Sequence, residues 1–389
     1  MSAACLVVLA VALGATAVRA QELSPPPPKQ RGAFLVPMLT VSETFDDNLF
    51  FTQFPEDDVI TRVSLGVELG YRSTPFTLDL QASRAGDSFA RHPDFNNTDA
   101  RTLGQMNLAY LPSRSLTFAA TACYFETRTP SELNIISGLA LGRSEARRVT
   151  VAPTVELRLG QFSTALGLFA LADDTLDGRY AGTRTGGLGF DRRMTGRDTL
   201  SLRYEHRRFA FTGGEKSTAD VFTIGWIKDF DKRTVLLFRA GPRLAKGKVN
   251  PEVLAFLKRR VKGGRVSLTY SRNQATTLGK NGALDTESVV ALYTLRVARK
   301  LEISSGPGVY RNSLRGLHLM AYRMNVEGLW HFSHLFHLGA AYAFDMQQPD
   351  FGAAGHIRRG ALQMRLIASP PQRRPEPKTA DQAPPEESD

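Results

Sequence analysis

Val63-Ser64-Leu65-Gly66-Val67-Glu68-Leu69-Gly70-Tyr71-Arg72 alternates apolar and polar residues without a break. A period of two places all the apolar side chains on one face of an extended strand and all the polar ones on the other. The next stretch repeats it, with Phe76, Leu78, Leu80 and Ala82 set against Thr77, Asp79, Gln81 and Ser83. The pattern returns at Val149, Val151, Val155 and Leu157 against Arg148, Thr150, Thr154, Glu156 and Arg158, and again at Leu200, Leu202 and Tyr204 against Ser201, Arg203, Glu205 and Arg207. Late in the chain Met320, Tyr322, Met324 and Val326 face away from Arg323, Asn325 and Glu327, and Phe336, Leu338, Ala340, Tyr342 and Phe344 follow the same rule. These are strands.

Connector lengths decide the architecture. Short ones near 73–75, 112–115, 159–161, 195–198, 231–233, 261–264, 297–300 and 333–334 alternate with longer polar ones at 46–57, 91–98, 130–142, 173–182, 212–217, 244–250, 274–285, 311–314 and 348–355. That order predicts a transmembrane antiparallel up-and-down β-barrel of about 18 strands, with both termini on the short-turn side. A meander with one apolar face leaves two unpaired edges, and hydrocarbon offers them no partner, so the sheet is expected to close. Tyr71, Phe76, Tyr110, Phe162, Trp226, Phe230, Trp330, Phe332 and Phe336 all lie near short turns, where a periplasmic aromatic girdle belongs. The competing architecture is a soluble β-sandwich or propeller, but strands this long exceed those of a sandwich.

Composition agrees. Of 389 residues 42% are hydrophobic, the mean hydropathy is -0.21, and no stretch suits a helical membrane bundle. The formal charge is +11, from 49 Lys and Arg against 38 Asp and Glu. With only Cys5 and Cys123, neither a disulfide scaffold nor a cysteine metal site is available. Residues 1–20 read as a signal peptide: an apolar run from Cys5 to Leu13 leads to Val18-Arg19-Ala20, although the start lacks Lys and Arg and a non-cleaved anchor is the alternative. Residues 21–31 read as a proline-rich periplasmic linker, 32–368 as the barrel, and 369–389 as a disordered tail rich in Pro and acidic residues.

Val41-Ser42-Glu43-Thr44-Phe45-Asp46-Asp47-Asn48-Leu49-Phe50, followed by Asp58-Val59-Ile60-Thr61-Arg62-Val63-Ser64, resembles the type 2 β-barrel porin family of outer-membrane proteins. The resemblance implies an outer-membrane barrel of a Gram-negative bacterium. Some members of that group look like products of exopolysaccharide gene clusters, which implies an export role. The family brings no catalytic motif. The last strand, running through Leu362, Met364 and Leu366, departs from the usual barrel ending because it does not close on an aromatic residue.

With the apolar set facing lipid, the polar set lines the lumen. The expected lumen charges are Arg72, Arg101, Arg148, Arg158, Arg203, Arg207, Arg239, Arg265, Arg323, Arg359 and Arg365, against Glu68, Asp79, Glu156, Glu205, Glu327 and Asp345. An arginine excess inside a low-dielectric wall favours anions or acidic sugars. The plainer reading is cross-strand bracing, for instance Arg203 with Glu205 or Arg323 with Glu327. The connector 130–142 is apolar at Leu133, Ile135, Ile136, Leu139 and Leu141; it folds inward as a constriction, or it contacts a neighbouring protomer or lipopolysaccharide acyl chains.

Other motifs carry less. His331, His334 and His337 lack an acidic or Cys ligand and read as an interfacial cluster, with no metal expected. The run Asp173-Asp174-Thr175-Leu176-Asp177-Gly178 fails as an EF-hand and reads as a surface acidic loop for divalent cations. Gly213-Gly214-Glu215-Lys216-Ser217 lacks the glycine a phosphate loop needs before its lysine. Lys258, Arg259, Arg260, Lys262 and Arg265 form the densest basic run and suit anionic envelope polymers or headgroups rather than nucleic acid. No catalytic arrangement is present, so no enzyme and no cofactor is expected. The expected function is passive diffusion of small hydrophilic, preferentially anionic solutes; the alternatives are an accessory barrel for exopolysaccharide export or attachment, and a structural or adhesin barrel with a closed lumen. Expected partners are outer-membrane lipid, lipopolysaccharide and the outer-membrane assembly machinery.

Overall fold

The computed structural model describes residues 32–314, 316–352 and 354–370. The signal peptide, the linker and all of the tail beyond Pro370 lie outside the described residues.

The strands are β1 (Gly32–Asp46), β2 (Asp58–Arg72), β3 (Phe76–Phe89), β4 (Asn97–Tyr110), β5 (Leu116–Thr127), β6 (Ala146–Arg158), β7 (Ser163–Leu176), β8 (Arg179–Arg193), β9 (Asp198–Phe211), β10 (Lys216–Asp229), β11 (Thr234–Ala245), β12 (Lys248–Val261), β13 (Gly264–Ala275), β14 (Leu284–Ala298), β15 (Leu301–Ser305), β16 (Gly308–Leu314), β17 (Leu317–Trp330), β18 (Phe336–Gln347) and β19 (Ile357–Ala368). Each pairs antiparallel with its neighbour in sequence, except that β15 and β16 do not pair with each other. Both β15 and β16 lie between β14 and β17, so they are two halves of one wall strand interrupted at Gly306-Pro307. The wall is therefore a closed antiparallel barrel of 18 strands. The seam is β1 against β19, in register from Leu39↔Ala368 to Asp46↔Ala361. Closure gives every wall strand two partners, which is what makes a sheet tolerable in hydrocarbon. No described helix is long and apolar enough to cross a membrane.

The alternation sorts side chains as the sequence requires. Leu35, Leu65, Leu69, Leu188, Ile224, Leu362 and Met364 point outward and are exposed, while Ser201, Arg203, Glu205 and Arg207 on the opposite face of β9 are buried. Near the short turns the outward aromatics meet one another: Tyr71 lies 6.0 Å from Phe76, Tyr110 stacks on Phe118 at 6.5 Å, and Phe332 stacks on Phe336 at 6.2 Å. Phe162, Trp226, Phe230 and Trp330 are exposed at the same level. At the other end, outward tyrosines donate to carboxylates: Tyr124 to Glu126, Tyr180 to Asp173, Tyr204 to Asp220 and Tyr270 to Glu287. An apolar belt bounded by aromatics on one side and tyrosine–carboxylate pairs on the other is the profile of a wall facing lipid. The end carrying Gly32 and Ala368 is called the terminal end below, and the other the loop end.

Three expected long connectors are strand instead. Positions 173–182, 244–250 and 311–314 pair almost throughout; the chain reverses at Asp177-Gly178 and Lys246-Gly247, and Leu314 pairs directly with Leu317. Asp177 (φ 46), Gly178 (φ 77), Lys246 (φ 49) and Gly247 (φ 72) adopt the left-handed conformation that a two-residue type I′ hairpin demands. Polar composition alone had suggested loops there. The reversal also removes the divalent-cation reading, because Asp173 accepts from the outward Tyr180 while Asp174 is buried inside on Arg148. Successive residues of a strand face opposite sides and cannot share an ion.

Candidate functional site: the loop across the lumen

The chain leaves β5 at the loop end and does not return to β6 until Ala146. Its two limbs stay close, Ser144 N donating to Arg128 O at 3.3 Å, and the segment between them turns into the barrel. Two groups of apolar side chains account for the direction. Leu133 packs with Leu103, Phe125, Leu176 and Leu278, with Cys123 and Leu141 at the edge. Leu139 packs with Leu284, Tyr310, Leu319 and Ala321 on the far wall. Both leucines are 2% exposed, whereas Ile135 and Ile136 between them are half-buried. Burying each such leucine contributes roughly 1.5–3 kcal/mol relative to leaving it in water. The sequence left inward folding and an outward contact open; the structure places the segment inside.

Polar contacts fix the crossing. Gln347 of β18 both donates to Ala140 O at 2.8 Å and accepts from Ala140 N at 2.9 Å. Asn312 of β16 donates to Ser137 O at 2.8 Å and holds Thr286 at 2.9 Å, while Arg323 donates to Ser131 O at 3.0 Å. Asn134 accepts from Leu278 N, joining the loop to the 276–283 connector. Gly138 has φ 64, and a Cβ there would stand 2.2 Å from the Tyr310 ring, so only glycine lets the backbone pass this close to the wall.

Charges ring the crossing. Glu132 accepts from Arg101 at 3.1 Å and lies 3.8 Å from Arg62, which is itself clamped to Asp87 at 2.6 Å. Burial pushes the Glu132 carboxyl up, but Arg101 and then Arg62 outweigh it and hold the group below the ordinary value. Arg148 grips Asp174 at 2.5 Å and donates to Leu133 O at 2.6 Å. Arg143 lies over Phe89 at 4.8 Å, with Asp87 3.7 Å from its guanidinium; burial and then the charge of Arg359 pull its pKa down to about 10. Arg359 is held by Asp46 at 2.5 Å.

The rest of the expected lumen set is distributed along the inner wall. Arg203 pairs with Asp191 at 2.7 Å rather than with Glu205, and Glu205 takes Arg207 at 2.7 Å. Arg207 and Arg243 also share Glu252, and Arg243 reaches Asp285. Arg323 pairs with Asp345 at 2.8 Å rather than with Glu327, which is taken by Arg365. Arg323 and Asp345 are direct cross-strand partners, whereas Glu327 lies four residues further along the same strand. Room for Arg203 comes from Gly189 opposite, where a Cβ would lie 2.7 Å from its Cδ. Arg72 meets Asp79 at 3.4 Å, and Arg158 meets Glu156 at 4.0 Å. Arg239 is buried beside this network, Glu68 is half-buried on β2, and Arg265 is exposed at the terminal end. Bracing therefore accounts for most of these arginines.

His331 Nδ1 lies 2.8 Å from His337 Nδ1 at the terminal end, and no group of three metal-ligating residues occurs among the described residues. Sequence reasoning missed Arg62, Asp87, Arg143, Asn312 and Gln347, and it put Asp174 in a surface loop. The inward positions of the strand residues among them are readable from the alternation, but that of Arg143, which precedes β6, and the loop that makes them matter are not.

A titratable latch joins two other loops. His92 lies against Asp58 at 2.8 Å and Glu56 at 3.3 Å, and the Asp58 hydrogen bond raises its pKa above 6.5. A raised imidazole stabilises the contact fully below the unfolded value and loses that contribution as pH rises through the folded one. Limited proteolysis between residues 47 and 57 should therefore accelerate from pH 6 to pH 8 in the native chain and not in His92→Gln. The change is small, because His92 is partly solvated.

A closed wall with a lipid-facing belt is an outer-membrane-type β-barrel. No protein-family model matches the chain, and no curated protein does. Among solved structures it is similar to OccAB4 of Acinetobacter baumannii, at 10% identity and a TM-score of 0.46, covering 88% of this chain and 99% of that one. OpdO of Pseudomonas aeruginosa matches at 13% identity and 0.46, over 87% and 96% of the two chains. An anion-selective porin from Comamonas acidovorans matches at 12% and 0.39, over 87% and 100%. At these scores the likeness says nothing about what this chain conducts.

Proposed function

We propose that the chain is a non-enzymatic outer-membrane channel through which small hydrophilic solutes diffuse passively, anions preferentially, with its terminal end in the periplasm. The observation that carries this reading is the loop fastened across the loop end of a charged lumen, which narrows a barrel otherwise wide enough for an aqueous channel. Most wall arginines are matched by carboxylates, so the anion preference is modest. It arises where basic side chains stand exposed, as Arg265 and Arg296 do at the terminal end.

Refolded protein in a planar bilayer under a salt gradient tests this. The expected result is stable conductance steps whose reversal potential favours chloride, with the preference lowered or inverted in Arg265→Glu/Arg296→Glu. Correctly refolded barrels that never conduct would overturn the channel and favour a closed lumen whose outer loops do the work. The second reading, an accessory barrel for an acidic exopolysaccharide, is favoured by the same exposed basic side chains, and loss of surface polymer on deletion would support it.

A further inference from the structure

The outward face of β8, β9 and β10 becomes basic as it nears the loop end. Arg184 of β8 lies directly opposite Arg208 of β9, and both are exposed. Lys216 is exposed on the same face at the start of β10. Like charges directly opposite one another on a sheet repel, so this pair weakens the wall unless an anion comes between the two guanidinium groups. The nearby outward carboxylates are engaged elsewhere: Asp220 accepts from Tyr204 and lies 2.9 Å from His206 Nδ1, and Asp173 accepts from Tyr180. Neither Arg184 nor Arg208 has a carboxylate partner among the described residues.

A groove of about 490 Å³ opens on the same face, nearer the middle of the wall, lined by Leu188, Leu202, Tyr204, Phe222, Ile224 and Pro242 among others. It exists because β11 presents Ala240 and Pro242 outward between the larger Phe238 and Leu244. Leu188 and Tyr204 stand opposite each other, each four residues from the arginine of its own strand, or roughly 13 Å along it. Between the two levels lies Gly186, opposite His206. A Cβ at Gly186 would meet nothing within 4 Å, so the surface is open from the arginines to the groove.

We propose that this face binds lipopolysaccharide through its lipid A portion, with a phosphate between Arg184 and Arg208 and one acyl chain in the groove. Guanidinium forks match phosphate oxygens bidentately, and Lys216 adds a point charge beside them. A free anion would use the arginines alone, and a purely apolar partner the groove alone. The two stand one above the other on a wall that faces lipid, which suits a single molecule with a phosphorylated head and a hydrocarbon chain. The inference rests on the channel reading only in placing the loop end outside the cell, and it does not depend on what the barrel conducts.

The test titrates bisphosphorylated lipid A onto the full-length refolded chain in detergent and counts bound lipid by native mass spectrometry. The expected result is one lipid A held saturably per barrel, at least tenfold more weakly in Arg184→Gln/Arg208→Gln. Ala240→Trp, which fills the groove and leaves the arginines in place, should weaken it by a similar factor, and so should removing the phosphates from the lipid. Heat-modifiable gel migration shows that the variant barrels fold. Undiminished binding by either variant would overturn the proposal. So would phosphatidylglycerol binding as tightly as lipid A, or displacement by excess inorganic phosphate, which would give the arginines to a free anion. An oligomer that Ala240→Trp dissociates and that excludes lipid A would give the groove to a second copy and overturn it as well. Orientation is read separately, from an epitope inserted at the adjoining Asp177-Gly178 hairpin. Its absence from the surface of intact cells would overturn both the outward loop end and the lipopolysaccharide assignment, whatever the lipid titration gives.

Discussion

Replacing Ser131 to Gly142 with a short Gly-Ser link is expected to raise single-channel conductance several-fold while the wall stays closed. The wall does not need the segment: β5 and β6 pair continuously from Leu116↔Leu157 to Thr127↔Ala146, and Arg128 and Ser144 are already hydrogen-bonded at the loop's base. What is lost is the crossing, with Leu133 and Leu139 withdrawn from the two wall clusters and the Gln347 and Asn312 contacts removed. The arginines that clasp the loop regain water, so the loss of stability comes mainly from the apolar side chains, roughly 1.5–3 kcal/mol for each leucine. Planar-bilayer recording checks the first effect and thermal denaturation the second. Unchanged conductance would show that the narrowest point lies elsewhere. Gly138→Leu is a milder version, since a side chain there collides with Tyr310 and must lift the loop from the wall.

The second large effect is expected at the seam. Asp46 is fully buried and takes two hydrogen bonds of 3.0 and 3.1 Å from Arg359 Nε and one of 2.5 Å from Nη2. Next to it Gly360 N donates to Asp47 at 2.6 Å, and Asn48 donates to Arg358 O at 2.9 Å. This cluster staples the first strand to the last at the loop end. Asp46→Ala leaves a buried guanidinium without its carboxylate, which costs about 3–5 kcal/mol, whereas removing both charges together costs less. Heat-modifiable gel migration should show the single variant opening well below the temperature of the native barrel, and Asp46→Ala/Arg359→Met recovering much of the difference. Equal behaviour of all three would mean that the seam is held by its backbone ladder alone.

The wall was legible because its information is local. Val63 to Arg72 carries the period of a strand in a single run, and lipid contact demands that such runs close. Strand ends were less legible: Asp173 to Gly182 is polar like a loop, yet one glycine and one aspartate suffice to reverse the chain at Asp177-Gly178. The loop 130–142 was visible as an apolar anomaly, but its destination depends on Leu103, Phe125 and Leu319, inward apolar residues on three different strands. Pairing of charges was least legible. Arg203 and Glu205 share a face two residues apart, and only the stagger between strands decides that Asp191 reaches Arg203 first.

Cys123 lies on the inner face of β5, at the edge of the cluster that receives Leu133, and it forms no disulfide. A thiol placed there serves as a clock. It is half-buried there, so its alkylation by a small charged reagent should run faster when the crossing segment is removed, and the ratio of the two rates reports how far the segment shields that side of the passage. The molecule thus carries its own chemical reporter of occupancy at the crossing, without a label having to be introduced.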